Sequence, residues 1–87
     1  MSWHVYLLRC ADDSLYAGIT TDLARRVDEH NTGKAGAKYT RSRRPVVLAW
    51  SEIAQNRAEA SRREHAVKKL DREAKEALLR SAAVDGG

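Results

Sequence analysis

Six residues stand in an order that suits phosphodiester hydrolysis: Tyr6, Tyr16, Gly18, Arg26, His30 and, further on, Glu64. That reaction needs an activated water, neutralisation of the charge that develops around phosphorus, and help for the leaving oxygen. A phenol with a pKa of ~10 is only about 0.1% ionised at neutral pH. It becomes a base only beside a cation or a metal ion. Tyr16 is the candidate general base, with Arg26 as its cation. Tyr6 is a candidate to orient the water or to hydrogen-bond Tyr16. Arg26 and His30 are four residues apart and share one side of a helix. The planar fork of Arg26 suits the scissile phosphate. His30 suits a hydrogen bond to that phosphate, or protonation of the leaving oxygen. Glu64 lies at the margin of an apolar stripe made by Ala60 and Val67, where a carboxylate either enters a salt bridge or holds a metal. A single carboxylate, completed by waters and phosphate oxygens, suits one Mg²⁺ or Mn²⁺ ion.

Every one of these residues also has a plain structural reading. Strand tyrosines are commonly half-buried packing groups. His30 can simply pack beside Leu23 and Val27. The residue pattern leaves both readings open at this point.

The elements that must position these groups are legible in outline. Trp3–Cys10 and Leu15–Thr20 are rich in β-branched, aromatic and aliphatic residues and read as two strands. Ala11–Ser14 supplies the turn between them, because Asp and Ser satisfy local backbone groups. Pairing Cys10 with Tyr16 puts both tyrosines on one face of the hairpin, and a slip of one residue separates them. Thr20 or Thr21 can cap a helix that runs to about His30, with Asp22 in its first turn. Asn31-Thr32-Gly33 ends it, and 33–44 reads as a loop. Pro45 opens a third strand, Val46 to about Ser51, whose composition suits a mostly buried position. Asn56 caps a helix to Leu70, and Asp71 starts a last helix to about Ala82. The expected fold is α+β: a three-stranded sheet that opens with a β-hairpin and is flanked by helices, in the order β-β-α-β-α-α. An 87-residue chain is one domain. It is expected to span 1–83, with 84–87 as a frayed tail.

Charge is unevenly placed. The net charge is +4, yet Lys34, Lys38, Arg41, Arg43 and Arg44 fall together with no acid among them. Such a run is either a solvated loop or a patch for a polyanion. Nucleic acid, and DNA in particular, is the expected partner. Five phosphate contacts would give a log–log salt slope of roughly −4 to −5. Tyr39 within the run can stack on an unpaired base or anchor the loop. Cys10 is the only cysteine, so no internal disulfide can form and a reducing cytoplasm is expected. Val5–Leu8 is too short for a membrane span.

Several of these segments resemble the GIY-YIG nuclease family. Val5-Tyr6-Leu7 stands at its first motif and Tyr16-Ala17-Gly18 at its second. The helix segment from Asp22 to Asn31 places Arg26 and His30 on the family's arginine and histidine. Arg63-Glu64-His65 resembles the later helix that carries its metal-binding glutamate. Tyr39-Thr40-Arg41 and Arg43-Arg44-Pro45 resemble the small YhbQ-like members and the nuclease domain of Slx-type structure-specific endonucleases. The resemblance covers about residues 3 to 70. It implies a metal-dependent endonuclease acting on DNA, with branched or flapped structures as candidate substrates. Departures exist: His4 replaces the first motif's glycine, Ala17 replaces isoleucine, and Ile19 stands where some members have lysine. An asparagine that some members carry late in the chain has no counterpart. A nucleic-acid-binding module without catalysis and a protein-interaction domain therefore remain alternatives.

Overall fold

The computed structural model describes residues 2–33 and 36–85, with side chains as far as residue 81. Three antiparallel strands, β1 (Trp3–Arg9), β2 (Leu15–Thr20) and β3 (Val47–Ala54), form one sheet in the order β2-β1-β3. With the helices α1 (Leu23–Thr32), α2 (Lys38–Arg41), α3 (Arg57–Lys69) and α4 (Arg72–Asp85), the chain is α+β. The expected order holds, with one short addition. α2 lies inside the segment read as a loop. α4 continues past Ala82 to Asp85, so residues 84 and 85 belong to the helix.

β1 is the central strand, so it is covered on both faces, and Val5 to Leu8 are buried almost completely. One face gathers Val5, Leu7, Ala17, Trp50 and Ala54 against Ala60 and Val67 of α3, with Leu78 and Leu79 of α4 alongside. The other gathers Tyr6, Leu8, Cys10 and Val46 with Tyr16, and with Leu23 and Val27 of α1. The sheet thus separates α1 from α3 and α4. The third strand corrects the sequence reading. It starts at Val47, runs to Ala54 and lies at a sheet edge, so it is not mostly buried: Val47, Leu48 and Ile53 are exposed, Ile53 at 70%. Val46, just before it, is the buried one.

The hairpin pairs Leu8 with Tyr16 and Tyr6 with Gly18. The offset from the expected pairing is two residues, which preserves strand parity, so both tyrosines do share a face. The turn itself spans residues 11–13, closed by a Cys10 N–H to Ser14 carbonyl bond of 2.9 Å, with Asp13 at φ 70°. Aspartate tolerates this left-handed conformation better than most residues.

The helix ends follow local chemistry. Asp22, not a threonine, is the N-cap of α1 and accepts from Arg25 N–H at 3.1 Å. Asn56 caps α3 through Glu59 N–H, as its type suggested. Asn31 does more than end α1. Its side chain donates to the Val46 carbonyl (2.9 Å) and accepts from Val46 N–H (2.7 Å), which clamps α1 to the entry of β3.

Candidate nuclease site

Tyr6 is the point on which the site converges. Its ring lies across its strand partner Gly18, and the reason for the glycine is steric. A Cβ at position 18 would fall 2.5 Å from Tyr6 Cζ, and closer still to the phenol oxygen. Contacts under 3 Å are essentially never made by real Cβ atoms, so only glycine lets the phenol lie there. The Tyr6 hydroxyl meets His30 Nε2 at 3.0 Å, and Arg26 hydrogen-bonds the same phenol. Both charged helices act on it: Arg26 from α1 and, from α3 on the opposite side of the sheet, Glu64. Burial pushes the Tyr6 phenol above its ordinary value. Arg26 pulls it back, and Tyr16 and Glu64 add to the rise.

His30 sits at the end of α1 and is completely buried. Its Nδ1 meets the hydroxyl of Thr40 at 2.9 Å, so both ring nitrogens have internal partners. Burial, then the charge of Arg26, holds its pKa down at about 4, with Arg44 adding to the fall and Glu29 opposing it. The imidazole is therefore neutral at physiological pH. This arrangement departs from the expected role of His30, because a neutral, enclosed ring with both nitrogens engaged does not reach a phosphate or a leaving oxygen. It braces Tyr6 instead.

Arg26 is 26% exposed at its side chain and ion-pairs with Glu29 at 3.0 Å. It also holds the Tyr6 phenol. Arg25, about 100° round the helix from Arg26, is solvent-facing and pairs with Glu29 at 3.6 Å. Tyr16 is half-buried. Its ring packs edge-on to His30 with centroids 5.4 Å apart, and stacks on Tyr39 at 5.5 Å. Glu64 is 22% exposed, and its ion pair is with Lys68 of the next turn at 3.5 Å, not with Arg26. Among the described residues no three His, Cys, Asp or Glu side chains gather at one point. Glu64 is thus a single hard oxygen donor, partly exposed on α3, and one carboxylate completed by water and phosphate oxygens is a donor set that one Mg²⁺ accepts.

The basic run is built differently from a loop that simply tracks a backbone. Arg44 donates to the carbonyls of His30 (2.6 Å) and Gly33 (2.8 Å), satisfying the open end of α1. Arg43 reaches Asp12 at 2.9 Å, donates to the Tyr39 carbonyl, and lies over the Tyr39 ring at 3.9 Å. Tyr39 therefore has ring contacts with both Tyr16 and Arg43, and it anchors the segment instead of offering a free face to a base. Lys38 and Arg41 are exposed on α2. Lys34 lies outside the described residues. Thr40 and Asn31 were not singled out by the sequence reading. Thr40 carries no periodic signal inside a basic run, and Asn31 reads simply as a helix stop.

The comparisons agree with this architecture. The GIY-YIG catalytic domain matches residues 2–77. A UPF0213 protein of Desulfotalea psychrophila is 51% identical over 81 residues, covering 93% of this chain and 74% of that protein. One from Halobacterium salinarum is 53% identical over 76 residues, covering 87% and 97%. Among solved structures, the solution NMR structure of an Enterococcus protein (E. faecalis) aligns with a TM-score of 0.65 at 43% identity, over 97% of this chain and 88% of that one. The solution NMR structure of the UPF0213 protein from Bacillus halodurans aligns at 0.58 and 44% identity, over 100% and 88%. No helix among the described residues is long and apolar enough to cross a membrane. With a nuclease-type domain across most of its length and relatives at about half identity, the chain belongs to the GIY-YIG family, as one of its small UPF0213 members.

Proposed function

We propose that this protein is a Mg²⁺-dependent endonuclease that hydrolyses phosphodiester bonds in DNA, with branched or flapped DNA as the substrate class. One observation carries the reading: a single phenol oxygen, on Tyr6, is held by both Arg26 and His30. Arg26, partly exposed, takes the scissile phosphate. Glu64 holds the metal ion, whose chemistry when bound is to offset the charge that builds on the phosphate.

Tyr6 is better placed than Tyr16 to accept the proton of the attacking water, because it has a neutral base behind it. As water donates to the Tyr6 oxygen, the Tyr6 proton passes to His30 Nε2. The water oxygen bonds to phosphorus, the bond to the leaving oxygen breaks, and that oxygen takes a proton from solvent. Near-complete burial suits a group that touches one water and excludes bulk solvent. Tyr16 then forms the wall of the site, stacked on Tyr39.

The experiment is cleavage of labelled flapped, branched, single-stranded and duplex DNA, with Mg²⁺ or with chelator. Mg²⁺-dependent cutting that is lost in Arg26→Ala, Glu64→Gln and Tyr6→Phe supports the reading. Salt-dependent DNA binding without cutting makes the protein a binding module. Cutting retained in Tyr6→Phe but lost in Tyr16→Phe restores Tyr16 as the base.

A further inference from the structure

The relay through Tyr6 works only if His30 Nε2 carries no hydrogen, and nothing in Tyr6 or Arg26 decides that. The decision is made on the far side of the ring. Thr40 is completely buried, and its hydroxyl stands 2.9 Å from His30 Nδ1. A hydroxyl has one proton to give, and Thr40 gives it to the Ala37 carbonyl, also at 2.9 Å. The Thr40 oxygen is left as an acceptor toward Nδ1. The Ala37 N–H also points at the same nitrogen, at 3.4 Å; this is the contact that would favour the other tautomer, and it is the longer and weaker of the two. From these distances we infer that Thr40 is a positioning residue: it fixes the His30 tautomer with the hydrogen on Nδ1, leaving Nε2 to accept from Tyr6.

The chain is built to bring Thr40 there. Gly36 passes so close to the end of α1 that a Cβ would fall 2.9 Å from His30 Cα, which lets the segment into α2 close down on the ring. The result is a directed row of donors and acceptors, from Tyr6 O–H to Nε2, from Nδ1–H to Thr40, and from Thr40 O–H to the Ala37 carbonyl. The tautomer inference stands on geometry alone. Its consequence for turnover rests on the endonuclease reading above.

The test has two arms. Long-range ¹H–¹⁵N spectra of the His30 ring report the tautomer whether or not any DNA is cut. The wild-type ring is expected to carry its hydrogen on Nδ1, Thr40→Ser to keep it there, and Thr40→Val to lose that preference. In the cleavage assay, Thr40→Val is expected to lower kcat about ten- to a hundred-fold, in the range of lost outer-shell hydrogen bonds, with KM little changed and Thr40→Ser restoring most of the rate. A wild-type ring with hydrogen on Nε2, or a Thr40→Val ring unchanged from wild type, overturns the inference. If the spectra behave as expected while no DNA is cut by wild type, the inference stands and the endonuclease reading falls. Should Thr40→Val fail to fold, the wild-type and Thr40→Ser spectra still decide the tautomer.

Discussion

Acid should weaken the fold in a window set by His30. In the unfolded chain its imidazole titrates near 6.5, while in the folded protein burial and Arg26 hold it at about 4. Between those values the unfolded state binds a proton that the folded state refuses. The His30 contribution to stability therefore falls as pH drops from 6.5 toward 4, changes no further below that, and is full above 6.5. The span is about 2.5 pH units, and each is worth about 1.36 kcal/mol, so the loss is about 3 kcal/mol. For a small domain stabilised by about 5–15 kcal/mol this is a large fraction. Urea unfolding at pH 7, 5.5 and 4.5 measures the loss, and NMR titration of the His30 ring measures its cause. A ring that titrates at or above 6.5 in the folded protein, or a midpoint that does not move between pH 7 and 4.5, refutes the picture of a neutral, enclosed imidazole. On the proposed mechanism the same neutral form is the proton acceptor, so the acid limb of cleavage should fall near pH 4 and not near 6.5.

Other substitutions probe separate links. Gly18→Ala forces a Cβ into the Tyr6 ring, and should cost about 1–3 kcal/mol in thermal or urea unfolding while displacing the phenol and stopping cleavage. Arg26→Ala should lower kcat by about 10²–10³, the range for removal of one preorganised donor, without unfolding the chain, as circular dichroism can check. Asn31→Ala removes both bonds to Val46 and leaves a buried carbonyl and N–H unpaired, for a loss of about 2 kcal/mol in urea unfolding. Glu76 receives Arg9 through two 2.7 Å bonds and Arg72 at 3.1 Å, which hold its pKa at about 2 instead of 4.5. Its contribution is present above pH 4.5 and fades toward pH 2. Glu76→Gln should flatten stability across that lower window, distinct from the His30 window.

Much of this was legible in the sequence because it is carried by local pattern. Apolar composition marked the three strands, Asn56 marked the start of α3, and the order of elements followed. Tyrosines ten residues apart on two strands share a face under any even offset, so Tyr6 and Tyr16 came together although the pairing differed by two. What escaped was information held only by tertiary contact. Nothing local says that Val47–Ala54 lies at an edge, so its apolar composition suggested burial. Nothing local says that Arg43 and Arg44 bond back onto the domain, because a solvated run and a set of internal contacts have the same composition. The enclosure of His30 was hidden for the same reason. Its spacing from Arg26 gave the right side of the helix, while the depth of that side depends on the sheet and on α2.

The segment read as a contact for DNA backbone also packs against the candidate site, which on the proposed function would join binding to chemistry. α2 has only four residues, and they divide between two directions. Lys38 and Arg41 are exposed, where a phosphate backbone would meet them. Tyr39 stacks on Tyr16, and Thr40 holds His30. On the endonuclease reading, phosphate held by the outer pair would then bear on the Tyr16 and His30 rings through a single turn of helix. Lys38→Ala should accordingly do more than weaken binding. If binding and positioning are joined through this helix, cleavage of saturating DNA should slow as well, and the His30 ring signals of the wild type should shift when uncleavable DNA is added. If Lys38 serves only to attract phosphate, the substitution raises KM, leaves kcat unchanged, and DNA leaves those signals where they were.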